Sequence, residues 1–482
     1  MKTVTEDLRT RLFIGGEWRT AEGGGTFEVL DPSTGNPIAR VEDAGPADAL
    51  AAVEAAHRAQ PAWAALAPRE RAEILHGCYE VMTERAEELA ALISLENGKA
   101  LADARGEVAY AAEFFRWYSE EAVRVVGDLS VAPGGANRIM VQHQPVGVAV
   151  LVTPWNFPAA MATRKIAPAL AAGCSVVLKP AAQTPLTAYA VADILHEVGV
   201  PAGVVNVLTT EDPGPVVSAM LHDPRVRALS FTGSTPVGRL LLREAADQVL
   251  KCSMELGGNA PFIVFDDADL DDALDGVMIA KMRNGGQACT AANRIYVQHG
   301  IREAFVRGLA ERMGALVLGP GTDPGTQCGP LVDEAGVRKV ERLVGEAVAA
   351  GASVVVGGER PQRDGYFYPP TVLDGVPPAA AMAREEVFGP VAGVIPFGTE
   401  DEVVAAANDT EHGLSAYVYT RDLARGLAVA ERLESGMVAV NRGLVSDPAA
   451  PFGGVKQSGL GREGGGEGLR EFTEQKYVAV AW

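Results

Sequence analysis

The chain has 482 residues, 48% of them hydrophobic and 22% charged, an ordinary balance for a globular protein with about two to four domains' worth of chain. Its formal net charge of −20 argues against non-specific nucleic-acid binding and against a basic helix on a membrane surface, since both need a cationic face. An acidic protein that handles an anionic substrate must place its cations locally, so arginines near a candidate nucleophile are informative.

The five cysteines form neither a CxxC pair nor a zinc-ligand spacing, so no metal site is predicted. A sparse, odd set of cysteines in a long chain indicates reduced thiols and a cytoplasmic location. Residues 1–10 are polar and lack the apolar core of a signal peptide. No apolar run approaches the roughly 18 residues that span a bilayer, so no membrane partner is expected.

The first part of the chain predicts one short strand and then mostly helix. Residues 12–18 have the character of a strand with a glycine turn. Three later segments are rich in Ala, Glu, Leu and Arg, with apolar residues near the 3.6-residue period of a helix. The predicted helices are residues 47–60, 68–96 and 101–124.

From residue 146 the pattern alternates between apolar strands and helices, which predicts a parallel sheet covered on both faces and an α/β domain of the dinucleotide-binding type. Its predicted strands are 146–152, 175–178, 204–208 and 228–231, and its predicted helices are 159–172, 185–198 and 214–222.

A second α/β half begins near Glu255. Its predicted strands are 262–265, 294–298, 353–356, 391–395, 416–419 and 437–440, and its predicted helices are 269–282, 301–316, 336–350 and 423–435. The glycine-rich residues 453–468 are predicted to form a long loop, and 476–481 a final strand.

Cys289 lies in a loop of small residues, Gly-Gly-Gln-Ala-Cys-Thr, after the predicted helix 269–282. Glycines let a substrate approach a thiol closely, and a thiolate is a strong nucleophile when its surroundings favour deprotonation. The alternative is a buried structural cysteine, which is the commoner role for a single cysteine.

The strand 228–231 leads into Thr-Gly-Ser-Thr-Pro-Val-Gly and then a helix, so Gly233, Ser234 and Gly238 form a candidate pyrophosphate site at a helix start. It is not a Walker A loop, since arginine stands where lysine is required. The alternative is a plain loop. The one GxGxxG match, residues 459–464, follows no predicted strand and is set aside.

Four motifs together resemble the aldehyde dehydrogenase superfamily: Thr-Pro-Trp-Asn-Phe-Pro from residue 153, Glu-Leu-Gly-Gly-Asn from 255, the Cys289 loop, and Glu-Glu-Val-Phe-Gly-Pro from 385. The resemblance runs from about residue 13 to 477. It implies a Rossmann-type cofactor domain (1–124 and 147–253), an α/β catalytic domain (254–450) and a small β oligomerisation element (125–146 and 465–482). It also implies a homodimer or homotetramer.

For catalysis, the resemblance implies that Cys289 attacks an aldehyde to give a thiohemiacetal. Asn156 and the Cys289 backbone N–H would stabilise the oxyanion, and Lys165 would support that region. Glu255 would activate the water that hydrolyses the thioester; taken alone, it would more often be an exposed carboxylate. CoA-acylating relatives typically lack this base, so its presence favours hydrolysis.

For the cofactor, the resemblance implies NAD or NADP. Lys179 matches a lysine that binds the adenine ribose, although a lysine at a strand end is often simply solvated. NAD-preferring members often carry glutamate at the position of Ala182, so NADP is predicted to be tolerated and is a candidate for the preferred cofactor. Glu386 matches the residue that holds the nicotinamide ribose, with Phe388 beside it. The remaining implied cofactor contacts are Thr153, Trp155, Gly233, Ser234, Gly238 and Leu256.

Within the superfamily, the chain most resembles the succinate-semialdehyde dehydrogenase branch, through residues 157–165, 281–287, 443–446 and 451–461. In that branch, positions matching Arg164, Arg283 and Ser446 bind the distal carboxylate, a role that suits the planar guanidinium fork. The alternative is surface arginines that neutralise nearby acids. Ala291 replaces a second cysteine that is common in the branch, and Arg442 and Asp447 also depart from it.

The exact substrate stays open from sequence. Glutarate semialdehyde is one methylene longer, and a methylene contributes only about 1–3 kcal/mol of discrimination. Three further functions also stay open: a general aliphatic aldehyde dehydrogenase, a CoA-acylating enzyme and a non-catalytic protein of the same fold.

Overall fold

The computed structural model describes residues 8–481, which form three main sheets and two short two-stranded ones. No helix in this part of the chain is both long and apolar enough to cross a bilayer. The strands of the first half are β1 Leu12–Ile14, β2 Glu17–Arg19, β3 Gly25–Leu30, β4 Pro37–Asp43, β5 Asp128–Val131, β6 Arg138–Pro145, β7 Val148–Val152, β8 Ser175–Lys179, β9 Val205–Val207, β10 Val226–Thr232 and β11 Lys251–Glu255. Its helices are α1 Pro46–Ala65, α2 Pro68–Glu84, α3 Ala86–Asn97, α4 Leu101–Glu121, α5 Pro158–Ala172, α6 Pro185–Glu197, α7 Pro213–Leu221 and α8 Thr235–Ala246.

The strands of the second half are β12 Ala260–Val264, β13 Ala292–Gln298, β14 Ser353–Val356, β15 Thr371–Asp374, β16 Val391–Phe397, β17 His412–Gly413, β18 Ser415–Tyr419, β19 Met437–Val440, β20 Val455–Lys456, β21 Gly459–Leu460 and β22 Thr473–Val480. Its helices are α9 Leu270–Met282, α10 Arg302–Gly314, α11 Glu334–Ala349, α12 Ala381–Arg384, α13 Glu400–Asn408, α14 Leu423–Arg432 and α15 Gly465–Arg470. Two 3-10 turns, Ala122–Arg124 and Arg283–Gly286, complete the set.

The first sheet has eight strands in the order β2-β1-β9-β8-β7-β10-β11-β21. Its five central strands, from β9 to β11, run parallel, and both β7 and β8 are buried along their whole length. One face packs on α4, α5 and α6, and the other on α1, α7 and α8. The predicted α/β layer with helices on both faces is confirmed, and its strand ends bring residues 153, 179, 233 and 255 to one edge.

The second sheet has the order β14-β15-β16-β13-β12-β18-β19, parallel except at the edge strand β14. Helices α9 and α10 cover one face, and α11 and α14 the other. The chain passes between the two large sheets at residues 256–259, so Glu255 ends the last parallel strand of the first sheet.

The third sheet joins β22, β6 and β5, so it pairs the chain's last strand with a hairpin from its first half. Apolar side chains on and beside it face solvent: Val126 is 75% exposed, Leu129 63% and Tyr477 57%. An exposed apolar set of this kind is typical of a protein–protein contact.

Three predicted elements differ from the structure. The predicted helix 68–96 is two helices, because Arg85 leaves helical geometry (φ −93°, ψ 17°) and α3 starts anew after it. Helix α1 continues through Pro61 to Ala65, beyond the predicted end at residue 60. The predicted loop 453–468 contains β20, β21 and the start of α15, since its short strands pair with distant partners that the local pattern does not show.

Candidate active site

A cavity of about 350 Å³ lies where the strand ends of the first sheet face the Cys289 loop of the second half. That volume suits a small-molecule site. It brings together eight of the predicted site residues: Trp155, Asn156, Gly233, Ser234, Leu256, Cys289, Glu386 and Phe388. Segments more than 200 residues apart in the chain therefore converge on one cleft.

The Cys289 loop follows α9 through a tight left-handed turn. Asn284, Gly285 and Gly286 have φ of 53°, 58° and 78°, a region that favours glycine. A Cβ at residue 286 would lie 2.1 Å from the carbonyl oxygen of Gly389, so only glycine lets this loop pack against the Glu-Glu-Val-Phe-Gly-Pro segment.

Burial raises the pKa of the Cys289 thiol to about 12. The positive charge of Arg164 lowers it, and the carboxylates of Glu255 and Glu386 raise it further. The cysteine is therefore a thiol at neutral pH, and its proton must pass to a base before the sulfur can attack. No described residue accepts a hydrogen bond from its backbone N–H, which leaves that donor free for a substrate oxygen.

Asn156 lies beside the Cys289 loop. Its side-chain amide donates to the carbonyl oxygen of Gln287 at 3.0 Å, and its own backbone carbonyl accepts from Lys99 Nζ at 2.7 Å and from Asn284 Nδ2 at 2.8 Å. The predicted oxyanion donor is thus near the sulfur, with its amide turned onto the loop rather than into the cavity.

Glu255 is 2% exposed, and neither carboxylate oxygen has a hydrogen-bond partner in the described part of the chain. Burial, with the charge of Glu463 added, holds the pKa of Glu255 well above its ordinary value. A carboxylate with a raised pKa is a stronger base at neutral pH. Glu255 itself does not line the cavity, whereas its neighbours Leu256 and Gly257 do, and a Cβ at Gly453 would come within 2.7 Å of the Glu255 carboxylate.

Lys165 makes no hydrogen bond to Asn156 or to the Cys289 loop within residues 8–481. Its ammonium donates to the Ser230 hydroxyl at 2.9 Å and pairs with Glu463, so it supports no oxyanion donor directly. Glu463 also pairs with Arg164, whose guanidinium lies 4.3 Å from the Phe452 ring centroid. Burial would raise the pKa of Glu463, but the two cations outweigh it and hold the pKa below its ordinary value.

The ion pair with Glu463 bears on whether Arg164 can bind the substrate carboxylate. Its side chain is 1% exposed and pairs with Glu463, a carboxylate that it shares with Lys165. Arg283 differs, because it is half-buried, stands over the rings of Phe157 (4.6 Å) and Tyr110 (5.7 Å), and has no ion pair within residues 8–481. Ser446 is half-buried in the loop after β19. Of the two predicted arginines, Arg283 is therefore the one that remains free for an anionic substrate.

The glycine turn after β10 has the shape of a phosphate cradle. A Cβ at Gly233 would lie 2.5 Å from the Phe231 ring, and one at Gly238 would lie 2.4 Å from Leu256. Ser234 precedes α8 with an extended backbone, and its side chain does not cap the helix. The first N–H groups of α8 therefore do not donate to the Ser234 hydroxyl. These residues fit the pyrophosphate of a dinucleotide.

Lys179 ends β8, close to Thr153, whose backbone N–H donates to its carbonyl. The Lys179 side chain is 6% exposed and has no partner within the described residues, and burial lowers its pKa to about 8. Ala182, three residues on, is half-buried. A buried cation without an anion suits a ligand that carries hydroxyl or phosphate oxygens.

Glu386 and Phe388 close the cavity from the second half. Burial raises the pKa of Glu386 to about 7, and among residues 8–481 only the Gly258 N–H donates to its carboxylate, at 3.5 Å. Phe388 has a φ of 57°, a strained value for a bulky residue. Its ring meets Trp155 edge-on at 5.4 Å.

Four residues that matter here were missed from sequence. Lys339, on α11, lines the cavity. Lys281 has a buried ammonium with no partner in the described chain, and burial lowers its pKa to about 7. Glu463 and Lys99 make buried contacts, the first with Arg164 and Lys165 and the second with the Asn156 carbonyl. A charged residue inside a glycine-rich segment or at a helix junction gave no local signal of burial.

Comparison with known proteins agrees with this geometry. A family model described as "Aldehyde dehydrogenase family" matches residues 18–478. A succinate-semialdehyde dehydrogenase of Paenarthrobacter nicotinovorans is 55% identical over 92% of this chain and 99% of its own. A glutarate-semialdehyde dehydrogenase of Pseudomonas putida is 50% identical over 98% of both chains.

A solved structure described as an Escherichia coli NADP-dependent enzyme superposes with a TM-score of 0.97 at 48% identity, covering 98% of each chain. Both the family match and these identities extend over nearly the whole length. The chain is therefore an oxidoreductase that belongs to the aldehyde dehydrogenase family.

Proposed function

We propose that the protein oxidises succinate semialdehyde to succinate with NAD or NADP. The observation that carries the proposal is a cavity lined by Cys289 and Asn156. The buried carboxylate of Glu255 and the guanidinium of Arg283, six residues before the nucleophile, both lie close enough to affect the pKa of the Cys289 thiol. Relatives named for succinate- and glutarate-semialdehyde support the substrate class.

The chemistry follows from these groups. The Cys289 sulfur attacks the aldehyde carbon as its proton passes to water, and the oxyanion is held by the Cys289 N–H and the Asn156 amide, which turns away from Gln287. A bound NAD or NADP would accept the hydride, and Cys289 would then carry the acyl group as a thioester. Glu255, deprotonated, then takes a proton from water, which attacks the thioester and releases the acid.

The residues that would hold the dinucleotide are those of the cradle described above. Gly233, Ser234 and Gly238 would receive the pyrophosphate, Lys179 the adenine ribose, and Glu386 the nicotinamide ribose. Thr153, Trp155, Leu256 and Phe388 would line the path between them.

Replacing Arg283 by methionine is expected to raise KM for succinate semialdehyde about 10- to 100-fold, since a charged hydrogen bond contributes about 1.5–3 kcal/mol. For hexanal, which has no distal carboxylate, KM should change less than about threefold on the same physical grounds. Initial rates with both aldehydes would measure the difference.

The matched control is Arg442→Met. Arg442 is exposed, and its guanidinium donates to the Leu444 carbonyl in the neighbouring loop. This substitution removes one positive charge without touching the proposed contact. Equal losses on both aldehydes in the Arg283 variant would remove the carboxylate assignment.

Glutarate semialdehyde is the second candidate substrate, favoured by the Pseudomonas putida relative. Arg283 stands on aromatic rings rather than in an ion pair, which is compatible with either chain length. The ratio of kcat/KM for the two semialdehydes would decide between them.

Introducing a carboxylate by Ala182→Glu is expected to shift the preference towards NAD. The new side chain would accept hydrogen bonds from ribose hydroxyls and repel the 2′-phosphate of NADP, which lies near Lys179 in the proposed pose. We expect kcat/KM for NADP to fall at least about tenfold, since like charges in close contact cost a few kcal/mol.

The control for this change is Gln183→Glu. Gln183 is exposed and next in sequence, so it adds the same charge outside the proposed contact. A parallel loss of NADP activity in both variants would point to net charge instead of a ribose contact.

The domain division also stays a proposal: a cofactor domain of residues 1–124 and 147–253, a catalytic domain of 254–450, and an oligomerisation element of 125–146 and 465–482. Residues 1–7 and 482 lie outside the described part of the chain. The exposed apolar side chains of the third sheet support a homodimer or homotetramer. The cytoplasmic location rests on the cysteine content.

A further inference from the structure

One short segment, from the end of α3 through the first half of α4, contacts two of the loops that form the cleft, at residues 155–156 and at Asn284. Its polar side chains point inward and bond to backbone atoms of four different segments. The contributing residues are Glu96, Asn97, Lys99, Asp103 and Glu107.

Three side chains of this segment bond to backbone atoms at the start of a helix or in a loop. Glu96 accepts the N–H groups of Leu186 and Thr187 at the start of α6, both at 2.8 Å. Asn97 donates to the Trp155 carbonyl at 2.9 Å. Asp103 accepts the backbone N–H of Asn284 at 3.0 Å. Each contact satisfies a backbone group that burial would otherwise leave unpaired.

Lys99 is the centre of this arrangement. It is 1% exposed, and its ammonium donates to Glu107 at 2.5 Å and to the Asn156 carbonyl at 2.7 Å. The same ammonium lies 4.1 Å from the centroid of the Phe157 ring. Glu107 in turn accepts the Ala159 N–H at 2.9 Å, at the start of α5. One buried ion pair therefore holds the Asn156 carbonyl and the first turn of α5, which follows it.

The Asn156 carbonyl has a second donor from the opposite side. Asn284, in the left-handed turn before Cys289, donates to it at 2.8 Å. The carbonyl is thus held between Lys99 and the cysteine loop, and the direction of the Asn156 side chain is set relative to the sulfur. Misplacing a catalytic group by about 1 Å can cost about 100-fold in rate.

We propose that Lys99 is a positioning residue for the oxidation reaction, which acts through Asn156 by holding the 156–157 turn in register with the Cys289 loop. This inference rests on the proposed role of Asn156 as oxyanion donor. Lys99 touches neither the sulfur nor the cavity, so its effect on rate must pass through the residue whose carbonyl it binds.

A double-mutant cycle of Lys99 and Asn156 tests this proposal. For each variant, kcat is measured at saturating hexanal and cofactor and expressed per mole of folded protein. An uncharged aldehyde is used because Phe157 also contacts Arg283. Asn156→Ala is expected to lower kcat about 100- to 1000-fold, and Lys99→Met about 10- to 100-fold with KM for the cofactor within about threefold. The double variant should be within about threefold of Asn156→Ala alone, since a donor that is absent cannot be misplaced.

Lys99→Arg is the conservative variant, and it replaces Lys99→Met in the cycle if the methionine variant does not fold. Arginine keeps the charge but not the compact ammonium, so kcat should lie between wild type and Lys99→Met, again without a further loss in the Asn156→Ala background. Arg302→Met, which breaks a half-buried ion pair with Asp374 away from the cleft, should lower Tm and leave kcat unchanged.

Two results would overturn the inference about Lys99 alone: an unchanged kcat in folded Lys99 variants, or losses that multiply with that of Asn156→Ala. A normal kcat in Asn156→Ala itself would overturn both the assignment of Asn156 and the inference built on it.

Discussion

Replacement of Cys289 by alanine is expected to lower kcat for aldehyde oxidation by at least about 10⁴-fold, because loss of a covalent nucleophile removes the reaction path instead of weakening one contact. Cofactor binding should persist, since the cradle at Gly233 and the lysine at position 179 do not involve the sulfur. Steady-state reduction of the cofactor would measure the first effect, and a nucleotide titration the second.

Cys252→Ala is the matched control. Cys252 is the other cysteine that is only half-buried, and it lies on β11, three residues before Glu255. We expect near-normal kcat for it. Substantial oxidation by the Cys289 variant would show that the bond to substrate forms elsewhere or not at all.

Glu255→Gln is expected to separate the two halves of the reaction. Acylation and hydride transfer should still occur once, giving a burst of reduced cofactor close to one equivalent per site, while steady-state turnover falls about 100- to 10,000-fold for lack of a base. Rapid-mixing absorbance at the reduced cofactor's band would show both. A loss of the burst as well would assign Glu255 to the first step instead.

The pH dependence of the same step has a defined sign. Glu255 acts when deprotonated, and its pKa lies well above the ordinary value because of burial, so turnover should rise as pH increases through that raised pKa. Glu255→Gln should lose this rising limb. Glu197→Gln, an exposed carboxylate on α6, should keep it.

Burial of Glu255 also predicts an effect on stability. A carboxyl whose folded pKa is raised binds its proton more tightly in the folded state, so its stabilising contribution is present at low pH and is lost as pH rises from the unfolded pKa to the folded one. At neutral pH the glutamate therefore costs stability, and glutamine at this position should raise Tm. Such a balance between activity and stability is common in active sites.

The sequence predicted the parts of the fold that depend on local pattern. The apolar strands before Thr153 and Lys179 were found because both faces of a parallel sheet are buried. The break at Arg85 was missed because the helical period continues across it. The short strands of residues 453–468 were missed because their partners, Glu255 and His412, are far away in sequence.

The site residues also differ in whether a local motif or a distant contact determines their role. Cys289, Asn156, Glu255 and Glu386 were singled out through motifs, and the structure gathers them around one cleft. The role of Lys165 could not be predicted, since it depends on Glu463, 298 residues away. The difference between Arg164, which is ion-paired, and Arg283, which is not, also depends on Glu463. No spacing in the sequence predicts that ion pair.

The central claim is that the substrate's carbonyl carbon becomes bonded to the sulfur of Cys289. The most direct test is to mix Glu255→Gln with succinate semialdehyde and the oxidised cofactor, quench in acid and map the protein by mass spectrometry. We predict one succinyl group, as a thioester, on the peptide that contains Cys289. An unmodified Cys289 after a full burst of reduced cofactor, or the acyl group on another residue, would contradict the account.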